Sequence, residues 1–474
     1  MGTKKADSEQ ISSVKVAFWY LIGDILVKGI TVIMTPIFTR LLTKEEYGNF
    51  SNFTSWESIL LIFVTLDLST SIIRAKYDFN DKMSEYISSI TAISTLMTLL
   101  LYAVIEMNVT FFVDFFSMDI FYIRVLFVYF LFQPAYAYMQ ENYRIYRKYK
   151  LFLFFSLSTA VLRTVLSIAL VYLMEDNYKA RVYGYIAPVL FLYMGIYAYI
   201  WIKGKKVKWQ YCKYALMIGV PLIPHSLAGI LLSSSDRVMI QKICGPEQTA
   251  LYTVAYTIAT LVDLITTSLS KAWIPWFFDA MNEGKNKEIR KISGLYANGV
   301  GVAILGVMLV APEILLILGG KEYLEAKNII PVVMSGLFCR FIYTFYVNIE
   351  LFYKKTFWVS VGTMIATAIN IGLNVILIPQ FGYVAAAYTT LIGFLAILLI
   401  HYGIVKFIMN NAQCYDNRGL FVSMLLFVIL QFVCTALYCN DTVRYIVIAL
   451  YATVFFYCMW KKRILIKEIV VKLR

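Results

Sequence analysis

VAFWYLIGDILVKGITVIMTPIF, residues Val16–Phe38, is an apolar run interrupted by only two charges, Asp24 and Lys28. At a rise of 1.5 Å per residue such a helix reaches about 34 Å, enough to cross roughly 30 Å of hydrocarbon. It is too long for the apolar core of a secretory signal and lacks a small-residue cleavage site, so it reads as a retained first span. Nor does the N-terminus fit the myristoylation pattern, because Ala6 stands where Ser or Thr is needed. Stretches of similar length and polarity recur as far as Trp460. We expect fourteen spans, the last two being Leu420–Cys439 and Tyr445–Trp460, an appended helical hairpin.

Composition agrees. Hydrophobic residues make up 60% of the 474, charged residues 15%, and mean hydropathy is +0.70. Soluble domains are about 45–50% apolar and about 25% charged. No connection is long enough to fold around a core of its own, so a soluble catalytic domain is excluded and function must reside in helices and short loops.

The net charge of +14 invites thoughts of nucleic acid, but its placement argues otherwise. With fourteen spans, most Lys and Arg residues fall on one side, in the N-terminus, near Lys76, Arg147, Lys205, Lys287 and Lys354, and in the tail after Trp460. Few fall opposite, among them Lys44, Lys179, Arg181 and Lys321. That asymmetry predicts a multi-pass protein with both termini in the cytoplasm, and no nucleic-acid partner.

Chemistry must come from polar groups inside the spans. Asp24, Lys28, Glu57, Asp67, Arg124, Arg163, Asp263, Arg340 and Glu350 all fall there. A charge at a span centre costs at least about 2.5–3.5 kcal/mol on insertion scales, so it normally faces a cavity or a partner. Lys28, Arg124, Arg163 and Arg340 are expected to bind an anionic substrate, since Arg stays charged and grips phosphate bidentately. The bland alternative is pairing with a carboxylate, which Asp24 and Lys28, four apart, can do on one helix. Asp24, Asp67 and Asp263 are candidate ion-coupling groups, because burial favours the protonated carboxyl. Pro221-Leu-Ile-Pro224-His225-Ser interrupts regular helix bonding, so Pro221, Pro224 and His225 mark a bending gate. Arg40 and Arg237, where the first and seventh spans end, are grouped with it. Gln133, Asn370 and Asn374 read as packing groups that bond across helices.

Enzyme signatures are missing from the sequence. There is no GxxxxGK[ST], HExxH or nucleophile elbow, and His225 and His401 are the two histidines. Seven cysteines without a CxxC pair predict neither a metal site nor a disulfide framework, and no cofactor is expected. A basic loop, Lys203–Lys208, nearly halves the first twelve spans. Thr39-Arg40 before Tyr47-Gly48 is echoed by Asp236-Arg237 before Leu251-Tyr252, as in transporters built from repeats. The expected divisions are residues 1–205 (spans one to six), 206–405 (seven to twelve) and 406–474 (the last pair and tail).

Several motifs in order resemble one family. Arg40-Leu-Leu-Thr-Lys-Glu-Glu-Tyr47-Gly48 is similar to the R-x-L-x(4)-Y-G signature after the first helix of bacterial polysaccharide flippases. Gln140 and Arg144 before Lys148-Tyr149-Lys150 resemble the loop after their fourth helix. Gly219-Val-Pro221-Leu-Ile-Pro224-His225-Ser-Leu227, then Asp236-Arg237 and Ile240, resemble their seventh helix and its exit. The chain is thereby identified as a member of the Wzx-type flippases of the multidrug/oligosaccharidyl-lipid/polysaccharide exporter superfamily. The resemblance implies an all-α integral membrane protein of about fourteen helices, two six-helix lobes around a central cavity plus a C-terminal helix pair. It implies ion-coupled, alternating-access transfer of an undecaprenyl-diphosphate-linked oligosaccharide to the outer leaflet of the bacterial cytoplasmic membrane, in capsule or O-antigen synthesis. Membrane lipid, a polysaccharide polymerase and glycosyltransferases would be its partners.

Three rival readings are weighed beside it. A cation-coupled drug exporter of the same superfamily should line its cavity with acidic and aromatic groups, whereas two central residues here are Arg. A peptidoglycan-precursor flippase shares the superfamily but fits the Arg40 and Tyr47-Gly48 group less well. A membrane-embedded glycan transferase or polymerase would need large shaped loops, and none is present.

Overall fold

The computed structural model describes residues 2–461, and among them every regular element is helical. Thirteen single helices are long and apolar enough to cross a membrane, and a bent pair completes fourteen. In chain order they are α1 (Trp19–Leu41), α2 (Lys44–Thr65 continued by Leu68–Asp78), α3 (Asn80–Met107), α4 (Ile120–Ile145), α5 (Tyr149–Leu173), α6 (Asn177–Gly204) and α7 (Trp209–Cys244). Then follow α8 (Pro246–Asn282), α9 (Asn286–Leu309), α10 (Lys321–Phe352), α11 (Thr356–Phe381), α12 (Tyr383–Ile408), α13 (Asn417–Leu437) and α14 (Asp441–Cys458). The chain is a multi-pass membrane protein, as its hydropathy led us to expect. Most of the basic C-terminal tail lies outside the described residues.

Local chemistry sets the helix ends. Thr43 and Glu46 form a reciprocal capping box, the Glu46 amide donating to Thr43 Oγ1 at 3.2 Å and the Thr43 amide donating to Glu46 Oε2 at 2.8 Å. Two orphan donors of the first turn of α2 are thus satisfied inside the Arg40–Gly48 motif. Within α2, Leu66 and Asp67 adopt left-handed backbone (φ 48° and 54°), and the helix axis turns by 59° there. Side-chain-bearing residues avoid that conformation, each instance costing about 1–3 kcal/mol. In α7, Pro221 falls in a 3-10 turn, Val220–Leu222, between two α-helical segments. The interruption is the one its two prolines predict.

Polar contacts between connections show which helix ends share a side. Lys242 at the end of α7 pairs with Asp114 after α3 at 2.7 Å. Lys208 before α7 pairs with Glu85 at the start of α3 at 2.5 Å. Lys76 at the end of α2 donates to the Ile145 carbonyl at the end of α4. Lys327 at the start of α10 donates to the Tyr438 carbonyl after α13, and Arg290 at the start of α9 to the Gln413 carbonyl before α13. Each joins two odd-numbered or two even-numbered connections, as helices that cross alternately require.

Packing divides the chain into two units, Met1–Ala250 and Leu251–Arg474. The division lies well past the expected boundary at residue 205, because α7 packs along α2. Gln241 donates to Asn49 at 2.8 Å, Ser226 donates to Asp67 at 2.7 Å, and Gly48 lies so close to Pro246 that an added Cβ would overlap its carbonyl. The first core gathers Phe53, Tyr129, Phe130, Val182 and Val189. In the second unit the Phe338 and Phe427 rings stack at 4.1 Å, and Ser335 donates to the Phe427 carbonyl. So α13 is built into that unit's core rather than hung beside it. On α11 Asn374 donates to Asn370 and in turn accepts from Thr389 of α12. Large apolar side chains such as Phe191, Val165, Phe432 and Leu450 stay exposed, as a lipid-facing surface requires.

Candidate functional site

The first unit brings two guanidiniums and one carboxylate together. Arg163 lies near the middle of α5 and is half-buried. Its Nη2 donates to the Tyr129 hydroxyl at 2.8 Å, and its guanidinium carbon lies 3.9 Å from the centre of the Tyr185 ring. A cation over an aromatic face gains about 0.5–2 kcal/mol, rising with desolvation. The Tyr185 hydroxyl donates to Glu57 Oε2 at 2.9 Å, and Glu57 is buried. Arg163 therefore touches the carboxylate through a tyrosine rather than directly.

Arg181 supplies the second cation, although its sequence position reads as a loop. It stands on α6, where Gly184 lets the helix approach so closely that a Cβ would strike the Ser167 backbone of α5. That approach draws Arg181 between two rings, 3.6 Å from Phe38 and 4.3 Å from Phe50, and its Nη1 donates to Ser167 Oγ at 2.6 Å. The Nε atoms of both Arg163 and Arg181 are buried without a hydrogen-bond partner. Buried donors of this kind are uncommon and call for a ligand or water. Tyr136 and Tyr193 stack at 4.4 Å nearby, with Tyr193 5.9 Å from Tyr129. Gln140 extends this wall, donating to Tyr136 Oη at 2.6 Å and Ser156 Oγ at 2.8 Å. Two cations, one carboxylate and a tyrosine wall suit an anion carrying hydroxylated groups.

The gate residues meet the bend of α2. Ser226, next to His225, is the group that bonds Asp67, and Gly219 sits under the Leu66 carbonyl. Two interrupted helices thus abut, and Asp67 is the expected coupling carboxylate located at that junction. Arg40 donates to the Pro36 carbonyl at 2.5 Å and Arg237 to the Ser233 carbonyl at 3.2 Å, both one turn back on their own helices.

The other expected site residues lie apart. Arg124 is held by Glu106 through two parallel bonds of 2.8 and 2.9 Å on an exposed face, so its charge is already answered. Arg340 reaches Asp263 at 3.3 Å in the second unit, which joins an expected substrate group to an expected coupling group. Lys28 is exposed and Asp24 is half-buried. None of the seven cysteines is in a disulfide, and the described residues contain no metal-holding cluster.

Comparison with known proteins follows the same line. Residues 13–281 match the family described as polysaccharide biosynthesis protein. Over 207 residues the chain is 24% identical to the probable low-salt glycan biosynthesis flippase Agl15 of Haloferax volcanii, covering 42% of each. Among solved structures, it superposes on the lipid II flippase MurJ in an inward closed conformation with a TM-score of 0.72, at 15% identity, over 96% of this chain and 100% of that one. It superposes on an inward-facing multidrug resistance MATE family transporter of the MOP superfamily with a TM-score of 0.62, at 14% identity, over 82% and 95%. The fold is that of MOP superfamily transporters.

Proposed function

We propose that this chain, which belongs to the polysaccharide biosynthesis protein family, is a flippase that carries a diphosphate-linked lipid glycan across the cytoplasmic membrane. Undecaprenyl diphosphate bearing an oligosaccharide repeat unit is the substrate proposed, moved from the cytoplasmic to the outer leaflet by an ion gradient. The observation that carries the reading is the excess of guanidinium over carboxylate around Arg163 and Arg181. A diphosphate would take the two unpartnered Nε donors as charge-assisted bonds, which are roughly twice as strong as neutral ones. The Tyr136, Tyr185 and Tyr193 rings would meet the sugars. Asp67, at the junction of two interrupted helices, is the proposed coupling carboxylate of the gate, since Asp263 is neutralised by Arg340.

The fold alone is shared with drug exporters, so charge discriminates. A cationic drug would find two guanidiniums against it, and like-charge contact is costly in a low dielectric. Expression in a bacterium lacking its own polysaccharide flippase tests the proposal. Restored surface glycan, with no gain in resistance to cationic drugs, is the expected result. Drug resistance without glycan would hand the reading to the exporter.

A further inference from the structure

The second unit contains a buried acid–base pair that the substrate reading leaves unused. His401 Nδ1 lies 2.8 Å from Glu350 Oε1, and both side chains have no exposed surface. His401 Nε2 and Glu350 Oε2 have no hydrogen-bond partner. Gly362 of α11 closes the far side, where an added Cβ would come within 2.6 Å of His401 Nε2.

Among the described residues, no other hydrogen bond or ion pair from a charged side chain reaches this pair. On α10, the Tyr343 ring lies 5.3 Å from the imidazole, and Tyr343 also feels Arg340, which is bound to Asp263. Tyr346 is turned to Asn417, donating at 2.9 Å. No ionisable residue occurs on α11. On α12, Tyr402 packs beside Tyr346, and Lys406 lies over the Tyr402 and Phe407 rings at 5.4 and 5.1 Å. Lys354 and Lys355 stand in the connection after α10, and Asp416 caps α13 ahead of Arg418.

A neutral imidazole beside an ionised carboxylate would leave one uncompensated charge here, at a cost of several kcal/mol. One further proton, held between Nδ1 and Oε1, would make the pair neutral overall. Losing it would leave a net negative charge on side chains that have no exposed surface, to be met by solvent entry or by movement of α10 against α12, so that proton occupancy would bias helix arrangement. Two features serve such movement. Residues Ile404–Ile408, which begin three residues after His401, form a π-helical turn, a distortion that recurs at functional sites. Glu350 lies four residues from Lys354, about 6 Å along the axis, so the pair sits one turn beneath the helix ends expected to face the cytoplasm.

We propose that His401 and Glu350 form a proton-binding site, filled and emptied from the cytoplasmic side, through which a proton gradient drives the second unit. The proposal rests on the flippase reading for its cargo but not for its proton chemistry. The full chain in lipid nanodiscs, titrated by infrared difference spectroscopy, tests the chemistry. Wild type should show a protonated-carboxyl band whose intensity responds to pH. Glu350→Gln should remove the band, Glu350→Asp should restore it, and His401→Gln should abolish its response to pH. A pH-dependent band that survives Glu350→Gln belongs to another group and overturns the proposal. In cells, a protonophore should suppress glycan export by wild type, and Glu350→Gln, at normal membrane abundance, should have lost that protonophore-sensitive export. Export by Glu350→Gln that remains protonophore-sensitive reduces the pair to packing. If wild type restores no glycan while the band titrates, the flippase reading fails and the proton site stands.

Discussion

Arg340 on α10 and Asp263 on α8 form an ion pair at 3.3 Å, with about a third and a quarter of their side chains still exposed (36% and 26%). Each answers the charge that made the other conspicuous in an apolar span. Removing one partner leaves a desolvated charge, whereas removing both leaves none. Arg340→Ala and Asp263→Ala should each lower thermal stability in detergent, by about 1–2 kcal/mol given the partial exposure. The double variant should recover part of that loss, with a coupling energy of about 0.5–2 kcal/mol. Strictly additive losses would show that the two charges act independently.

Gly48 is the position in the family-like motif where geometry leaves no choice, because a Cβ there overlaps the Pro246 carbonyl. The obstacle is backbone and cannot swing aside. Gly48→Ala should destabilise the chain by about 1–3 kcal/mol, the usual cost of overpacking. Gly229, also in the first unit, has open space where a Cβ would go. Gly229→Ala should be neutral or slightly stabilising, since Ala is the better helix former. Membrane abundance and melting temperature, compared for the two variants, settle whether the contact matters.

How much of this could be read without coordinates depends on the distance over which each feature is encoded. The fourteen spans are local, so apolar length alone revealed them, and Arg163 was visible as a guanidinium among hydrophobic residues. Arg181 was not, because it stands only four residues into α6 and counts as loop by any window. Its place between Phe38 and Phe50 depends on Gly184 meeting Ser167, a contact between helices. Arg124 failed the other way, since its partner Glu106 ends a different span. Glu350 was legible as an intramembrane acid, but nothing in the chain near it points to His401. The α2–α7 packing that moves the division to Ala250 is likewise a long-range pairing with no periodic trace.

Sidedness can be tested with single introduced cysteines and an impermeant thiol reagent. Cys439 and Cys458 are exposed and must be replaced first. Cys414 is a lesser concern, because burial pushes its thiol above the ordinary value and so lowers the thiolate fraction at neutral pH. Lys205→Cys should label only after the membrane is permeabilised, and Lys321→Cys in intact cells. Labelling of Lys205→Cys from outside would invert the orientation and, with it, the side from which His401 and Glu350 exchange protons.

The anion chamber makes the sharpest demand on function. Arg163→Ala and Arg181→Ala each remove a guanidinium from a cluster whose carboxylate is Glu57. Loss of one charge-assisted bond to phosphate costs about 1.5–3 kcal/mol, or roughly tenfold to hundredfold in export. Arg163→Lys should retain part of the activity, since charge persists while the planar fork that meets Tyr129 and phosphate together is lost. Glu57→Gln should not impair substrate affinity, because it removes the one negative charge that competes with the anion, although the bond from Tyr185 becomes weaker. The measurement is surface glycan in a flippase-null strain, normalised to membrane abundance, with thermal stability followed in parallel. Stability separates the two roles: a packing role lowers melting temperature and export together, whereas an anion site loses export at near-normal stability. Wild-type export from the Arg163→Ala/Arg181→Ala double variant at normal abundance would sink the chamber as the phosphate site.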